Sequence, residues 1–225
     1  MKMTILVSWL VTILIPIALI GLGLSMLLSP LFLKVEYNMP YFPPDTYGFT
    51  KTDRLKWAPY ALDYLVNSAD ISYLGDLKFD DGSPLYNERE LSHMADVKRV
   101  TQNALNIWYI SLSLLALLGI WSWRGGTWMQ AYRQGLVRGG WLMVGLATII
   151  GVIAVIGIAV NPDLFFNFFT AFHHLFFTGD SWLFLFSDTL IRLFPIRFWQ
   201  DAFLFAAVIA LGSGVALGVG FRKVP

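Results

Sequence analysis

The chain has 225 residues, of which 56% are hydrophobic and only 14% are charged, and its mean hydropathy is +0.61. Soluble domains carry about 25% charged residues, so this composition excludes a soluble globular enzyme and indicates a membrane protein. The formal net charge of +1 leaves no basic excess for binding nucleic-acid phosphates. Because the chain contains no cysteine, thiol nucleophiles, disulfides and thiolate metal sites are also excluded.

Four uncharged stretches are each long enough to cross a membrane, which takes about 20 apolar residues. They lie between flanking charges, at approximately residues 5–30, 101–123, 139–161 and 202–221. The first stretch is too long for a signal peptide and is expected to be retained. The sequence therefore predicts an all-α integral membrane protein with four transmembrane helices, organised as a single membrane domain over residues 1–225.

The distribution of charge predicts the side of the membrane on which each connecting segment lies. Lys and Arg residues in short loops stay in the cytoplasm. The N-terminus, the Arg124–Arg138 loop and the C-terminal tail are basic and contain no acid, whereas all 15 acidic residues fall within 34–99 and 163–201. Both termini are therefore expected in the cytoplasm, and the two acid-containing segments are expected on the extracytoplasmic side.

The first extracytoplasmic segment is too long for a simple loop and is expected to form a small subdomain. Apolar residues at helical spacing predict a helix over 57–66, with Pro59 near its start, where proline is tolerated. The turn residues Asp81 and Gly82 predict a short β-hairpin within residues 77–86.

His93 lies on a helix that is predicted to start in this subdomain and to continue unbroken into the second span. Asn87 and Glu90 have the spacing of a capping box, which marks the start of that helix. Glu90 and Asp96 lie three residues before and after His93, so both share its helix face. A carboxylate at this spacing orients an imidazole as in a catalytic triad. The alternative is a solvated helix start in which these residues have no catalytic role.

A phenylalanine-rich segment over 164–177 carries two adjacent histidines and no formal charge. It is too short for a further span and too apolar for a solvated loop, so it is predicted to form an interfacial or re-entrant helix. Adjacent helical residues point about 100° apart, so His173 and His174 are expected to face different surroundings. A titratable group in so apolar a stretch is a functional candidate. The alternative is that each histidine directs its polar tip to water.

The remaining polar residues give weaker indications of chemistry. Asp188 and Arg192 are four residues apart and are interpreted as a structural pair on one helix face. The three histidines match no standard metal-site spacing, and the chain has no serine-hydrolase elbow, P-loop or dinucleotide fingerprint. The residues by themselves leave open a histidine-based enzyme, a lipid-binding protein without chemistry, and a metal-dependent hydrolase.

The two histidine segments resemble the signatures of a bacterial family of four-span membrane proteins that includes the lipoprotein intramolecular transacylases. Residues 90–98, ELSHMADVK, are similar to the pattern E-x-x-H-x-x-D-V-K. Residues 172–182, FHHLFFTGDSW, are similar to the pattern F-H-x-x-F-F-x-x-(N/D)-x-W, with an additional histidine at position 174. The resemblance also covers the number and order of the spans and the sizes of the loops.

This resemblance implies an acyltransferase. Such an enzyme moves the sn-2 acyl chain of the diacylglyceryl group on a lipoprotein's N-terminal cysteine to the α-amino group of the same residue. The implied partners are the diacylglyceryl lipoprotein and membrane lipids, with no nucleic acid and no obligate protein partner. No cofactor or metal is implied, and the active site is expected at the outer face of the bacterial cytoplasmic membrane. The alternative function is a non-catalytic lipid- or lipoprotein-binding accessory protein.

The resemblance also implies roles for individual residues. The family's two histidines correspond to His93 and His173, which are expected to catalyse the transfer by acid–base chemistry. The residues expected to orient or support them are Glu90, Asp96, His174, Asp180 and Trp182. The residues expected to contact acyl chains are Phe169, Phe172, Phe176 and Phe177.

Overall fold

The computed structural model describes residues 2–160, 163–179 and 182–222, with the backbone alone for residues 153–160. Within these ranges the regular secondary structure is helical. The helices in chain order are α1 (Lys2–Leu27), α2 (Pro30–Glu36), α3 (Lys51–Val66), α4 (Ser72–Gly75), α5 (Glu88–Ser122), α6 (Thr127–Val160), α7 (Leu164–Phe176), α8 (Thr189–Leu193) and α9 (Ile196–Gly220).

Four of the described helices, α1, α5, α6 and α9, are long and apolar enough to cross a membrane, which confirms the predicted number of spans. The bounds of these helices are not those of the uncharged stretches, since a helix can continue beyond the part that crosses the membrane. In particular, α6 begins at Thr127, so most of the segment that the sequence predicted to be a loop over Arg124–Arg138 is helical. Residues 127–134 contain neither glycine nor proline, and their Gln and Arg side chains are good helix formers, so the helix extends beyond its uncharged part.

The helix α3 starts earlier than the apolar spacing predicted. The Asp53 N–H donates to the Thr50 hydroxyl at 3.2 Å, and the Thr50 N–H donates to the Asp53 carboxylate at 2.7 Å. This capping box starts the helix at Lys51, so the predicted start at residue 57 was wrong. As a result, Pro59 lies inside the helix and not near its start.

The segment predicted to form a β-hairpin turns back on itself through very few hydrogen bonds. The Leu85 N–H donates to the Leu77 carbonyl at 2.9 Å, and the Phe79 N–H donates to the Ser83 carbonyl at 2.9 Å. Gly82 adopts a φ of +84°, which side chains other than glycine rarely accept. One isolated bridge joins this pair of chain segments, so a two-stranded hairpin is not confirmed.

The described chain forms two compact units. The first, here called the span unit, contains residues 2–25, 104–160 and 204–222. Within it α1 and α6 approach closely along two glycines. A Cβ atom at Gly135 would lie 2.6 Å from the Val11 Cβ, and one at Gly139 would lie 2.6 Å from the Ile15 Cβ. This small-xxx-small spacing lets two membrane helices pack by close backbone approach, since lipid provides no hydrophobic driving force between them.

The second unit, here called the histidine unit, contains residues 26–103, 163–179 and 182–203. Long-range bonds to the end of α8 stabilise it. The Arg54 guanidinium donates to the Arg192 carbonyl at 2.9 Å and to the Pro43 carbonyl at 2.7 Å. Arg192 in turn forms a largely buried ion pair with Asp45 at 3.1 Å. These bonds hold the chain that precedes α3 against α8.

A buried carboxyl group lies at the end of α2 in the histidine unit. Glu36 is 3% exposed and hydrogen-bonds to the side chain of Asp201. The pKa of Glu36 is raised to about 7, chiefly by burial and also by the charge of Asp201 and their hydrogen bond, while the charge of Arg197 opposes the shift. Asp201 also forms an ion pair with Arg197 at 2.5 Å. Glu36 is therefore an acid that holds its proton far above the pH at which an exposed glutamate ionises.

Candidate active site

His93 lies in the second turn of α5, and 7% of the residue is exposed. The predicted capping box fixes the helix start. One Glu90 carboxylate oxygen accepts from the Asn87 N–H at 2.8 Å, and the Asn87 side-chain oxygen accepts from the Glu90 N–H at 3.0 Å. The other Glu90 oxygen accepts from the Leu190 N–H at 2.7 Å, in the first turn of α8. Glu90 therefore joins the helix that carries His93 to α8.

Asp188 makes a second connection between the start of α5 and the start of α8. Its carboxylate accepts from the Asn87 side-chain amide at 3.1 Å and pairs with the Arg89 guanidinium at 3.4 Å. The predicted pairing of Asp188 with Arg192 was wrong, because Arg192 pairs with Asp45 instead. The error has a simple cause: Asp188 precedes the first residue of α8, so the two side chains do not share a regular helix face.

His173 lies near the end of α7 and is 8% exposed, whereas its neighbour His174 is exposed. The His173 Nδ1 is 2.8 Å from the Phe169 carbonyl oxygen. A carbonyl oxygen only accepts, so the Nδ1 must carry the hydrogen. In the neutral imidazole this leaves the lone pair on Nε2, which is the arrangement of a base.

The structure brings His93 and His173 together, although they are 80 residues apart in the chain. Their ring centroids are 6.1 Å apart and the ring planes are inclined by only 21°. At this separation two imidazoles lie within reach of a single small reacting group between or beside them. Two buried, nearly parallel imidazoles are thus available for one proton-transfer reaction.

Aromatic rings surround the two imidazoles. The Phe177 ring lies 4.9 Å from His93 and 5.7 Å from His173. Phe169 and Trp182 pack against His173 at 4.0 and 4.9 Å. Burial in this apolar environment lowers the pKa of His173, the charge of His174 lowers it further, and the bond to the Phe169 carbonyl opposes the shift. His173 is therefore neutral at neutral pH.

The His93 imidazole has an unused hydrogen-bonding atom. Its Nδ1 is buried and has no hydrogen-bond partner among the described residues. The two acids predicted to orient His93 make other bonds: Glu90 to backbone N–H groups, and Asp96 to Arg99 at 3.2 Å. Among the described residues, no group of three or more His, Asp or Glu side chains has the geometry to hold a metal ion.

The other predicted site residues fall at different distances from the histidine pair. Phe172 packs on His173 at 6.0 Å, whereas Phe176 packs on Phe172 and Phe177 at 5.0 and 6.4 Å. Trp182 also packs edge-on against His174 at 5.1 Å, and its indole N–H donates to the Gly179 carbonyl. Asp180 lies outside the described residues.

Two aromatic residues of the site were not identified from the sequence. Phe184 packs edge-on against His93 at 5.3 Å, and Trp199 lies 5.8 Å from Phe169. Both occur in apolar runs typical of a membrane interface, and this signal does not distinguish a ring that lines a site from one that contacts lipid.

The four helices that are long and apolar enough to cross a membrane define a multi-pass membrane protein, and its histidine unit contains a buried pair of imidazoles. The family model for lipoprotein intramolecular transacylase Lit matches residues 7–199. The chain therefore belongs to the Lit family, and it is a membrane-integral acyltransferase.

Individual relatives match this chain over nearly its whole length. The chain is 29% identical over 213 residues to an uncharacterized protein of Aquifex aeolicus (strain VF5), covering 93% of this chain and 90% of the relative. The fold is similar to the structure of the membrane-integral lipoprotein intramolecular transacylase Lit from Bacillus cereus, with a TM-score of 0.68, 19% identity, and coverage of 96% and 93% of the two chains. A histidine-to-arginine mutant of that protein superposes with a TM-score of 0.62, at 19% identity over 98% and 91% of the chains.

Proposed function

We propose that this protein transfers the sn-2 acyl chain of a diacylglyceryl lipoprotein to the α-amino group of the same N-terminal cysteine, with His93 and His173 as the catalytic residues. The observation that carries this proposal is the buried, nearly parallel pair of imidazoles at 6.1 Å. Family membership supports the acyl transfer itself. The geometry of the pair supports the assignment of the two residues.

The reaction is an aminolysis of an ester. The α-amine nitrogen attacks the carbonyl carbon of the sn-2 ester, and a base removes a proton from that nitrogen. The tetrahedral intermediate then expels the glyceryl oxygen, which takes a proton and becomes a hydroxyl group. A C–N bond forms and a C–O bond breaks, so the products are an amide and a lyso-glyceryl lipoprotein without any added reactant. Because the amine and the ester belong to one molecule, the protein mainly has to hold them in an attack geometry.

His173 is suited to act as the base. Its Nδ1–H is engaged by the Phe169 carbonyl, so its Nε2 presents a lone pair to the substrate. The lowered pKa keeps the imidazole neutral, which a base requires. An α-amine has a reference pKa of about 7.7–8.0, so an imidazole is strong enough to assist its deprotonation.

His93 is suited to act on the ester oxygen. A neutral imidazole donates through one nitrogen and accepts through the other. Its ring faces that of His173, so a donated hydrogen bond from His93 would reach the carbonyl oxygen or the departing glyceryl oxygen of a substrate held beside both rings. The apolar surroundings strengthen such a bond because they exclude competing water.

The outer surface of α7 provides apolar area for acyl chains. Phe166, Phe168, Phe172 and Phe176 on this helix are 59%, 44%, 37% and 44% exposed. An exposed apolar face of this kind is typical of a helix that lies in the membrane interface. Diacylglyceryl esters lie at that level, just below the headgroups. The N-terminus, the Arg124–Arg138 segment and the C-terminal tail are basic, which favours the cytoplasmic side for them and therefore the outer leaflet as the location of the reaction.

Intramolecular transfer leaves the mass of a lipoprotein unchanged, so the test must locate the acyl chain. A lipoprotein is co-expressed with the protein in a host that does not N-acylate, and its N-terminal lipopeptide is fragmented by mass spectrometry. The proposal predicts an amide-linked acyl chain on the α-nitrogen and a monoacylglyceryl cysteine with the wild-type protein. It predicts a diacylglyceryl cysteine with a free amine for His93→Ala and for His173→Ala.

His174→Ala is the matched control, because His174 lies next to His173 on α7 and its side chain is exposed. Transfer is expected to persist in this variant, at a lower rate at most, because His174 supports the pair only through its charge and its contact with Trp182. Thermal unfolding of each purified variant checks that the loss of activity is not a loss of fold. Full transfer by both His93→Ala and His173→Ala would refute the assignment of the catalytic residues, whereas absence of transfer by the wild-type protein would refute the activity itself.

A further inference from the structure

Three arginines line a groove in the span unit, whereas His93 and His173 belong to the histidine unit. The groove has a volume of about 460 Å³ and is lined by Gln130, Arg133, Gln134, Val137, Arg138, Phe221 and Arg222. The first five of these residues form one stripe along α6, because they recur at intervals of three and four. The last two follow the end of α9.

The charge of this groove is not neutralised within its own unit. The segments 2–25, 104–160 and 204–222 contain no Asp or Glu at all. Two of the three arginines pack instead on aromatic and hydroxyl groups. The Arg138 guanidinium lies 5.6 Å from the Trp9 ring centroid and 3.4 Å from the Ser8 hydroxyl, and that of Arg222 lies 5.4 Å from Trp141. Stacking on tryptophan orients a guanidinium but leaves its charge in place.

We propose that this groove binds the phosphate group of an anionic membrane phospholipid. Guanidinium groups match phosphate oxygens in geometry and charge. The walls contributed by Val137 and Phe221 are apolar, as they would be beside the glycerol and the first acyl carbons of a lipid. The tryptophans beside Arg138 and Arg222 are typical of the headgroup level of a bilayer. Basic pockets between membrane helices bind anionic headgroups in the same way.

The arrangement favours a lipid phosphate over a free phosphate ion. One wall of the groove is formed by α6, a helix that is also long and apolar enough to cross a membrane. A lipid can therefore insert its headgroup from within the bilayer while its chains stay in hydrocarbon. A free ion would lose part of its hydration at the apolar walls without this compensation.

The experiment measures the thermal stability of the full-length protein in a neutral detergent while phosphatidylglycerol is titrated in. A ligand that binds only the folded state stabilises it by RT ln(1 + L/Kd), where L is the free ligand concentration, so the dependence of Tm on lipid concentration gives an apparent affinity. Arg133→Gln combined with Arg138→Gln is expected to weaken this affinity by roughly 25-fold, at about fivefold for each arginine near a lipid surface. Phosphatidylcholine and inorganic phosphate, titrated in parallel, are expected to raise Tm little.

Arg124→Gln is the matched control, since Arg124 belongs to the same unit but packs on Trp121 and does not line the groove. It should keep the wild-type affinity for phosphatidylglycerol. Arg133→Lys combined with Arg138→Lys retains both charges, and it should bind more tightly than the double Gln variant. If the double Gln variant does not fold, Arg133→Gln and Arg138→Gln alone should each weaken the affinity by about fivefold. Equal affinities in all variants, or equal stabilisation by inorganic phosphate, would overturn the proposal.

Discussion

Replacing Glu90 by Gln tests the connection that holds the His93 helix against α8. Glu90 is 1% exposed, and its two carboxylate oxygens accept from the N–H groups of Asn87 and Leu190 at 2.8 and 2.7 Å. Glutamine has nearly the same shape but offers a single acceptor oxygen. In the Glu90→Gln variant one of these N–H groups must therefore face an amide NH2 group, which also donates.

The cost of this change follows from the lost bond. A hydrogen bond to a charged group contributes about 1.5–3 kcal/mol, and a buried donor left without a partner is comparably unfavourable. Because Glu90 is buried, solvent does not screen this loss. We expect the free energy of unfolding to fall by about 1.5–3 kcal/mol. Since the change also frees the first turns of α5, we expect transfer to slow, by up to about 100-fold for a 1 Å displacement of His93.

The assay is equilibrium unfolding in mixed micelles, followed by tryptophan fluorescence, with transfer measured on the same preparations. Glu88→Gln is the control, because Glu88 is an exposed acid in the same first turn of α5. It removes the same charge without removing a buried bond. If Glu90→Gln and Glu88→Gln unfold with the same free energy, then Glu90 does not join α5 to α8 in the way argued above.

Three further outcomes follow from the burial of individual groups. Once the titration of the substrate α-amine, at about 7.7–8.0, is separated out, the acid limb that belongs to the protein should lie below the ordinary histidine pKa of 6.5, because burial lowers the pKa of His173; a limb of the protein itself at or above pH 6.5 in the pH–rate profile would contradict this. Glu36 releases its proton near pH 4.5 when unfolded and near pH 7 when folded, so the wild-type protein should lose stability as the pH rises between these values. The free energy of unfolding, measured at pH values below 4.5 and above 7, should not show this loss in the Glu36→Gln variant. An equal loss in the variant and the wild-type protein would refute the assignment of the pH dependence to Glu36. Gly139→Ala places a Cβ 2.6 Å from the Ile15 Cβ, so it should lower the free energy of unfolding by about 1–3 kcal/mol. Gly145→Ala is the control, because a Cβ at Gly145 would have no atom within 4 Å and should not lower that free energy. Equal free energies of unfolding for the two variants would contradict the close packing of α1 and α6.

The spans and the start of α5 could be predicted from the sequence because both depend on local patterns. A membrane helix needs a long apolar run, and a capping box needs two side chains three residues apart. The same reasoning also shows where the prediction of α3 went wrong. Thr50 and Asp53 have capping-box spacing, and this pair, not the apolar periodicity that begins at Trp57, marks the start of the helix.

The resemblance to known signatures selected both histidines, but local patterns give no information on how they come together. The connections that bring α5, α8 and the chain before α3 into one unit are made by side chains to backbone groups. Glu90 accepts from the Leu190 N–H, Arg54 donates to the Arg192 carbonyl, and Tyr37 donates to the Leu193 carbonyl.

Bonds of this kind leave no signature at their backbone end. Every residue except proline offers the same N–H and carbonyl groups, so the sequence identifies the side chain but not its partner 100 or more residues away. Glu90 illustrates the consequence. Its spacing from His93 favoured a direct carboxylate–imidazole bond, whereas its oxygens bond to the backbone of Asn87 and Leu190. The buried acid beside a candidate catalytic residue thus contributes to the position of the helix, and this contribution depends on a contact that only the folded chain contains.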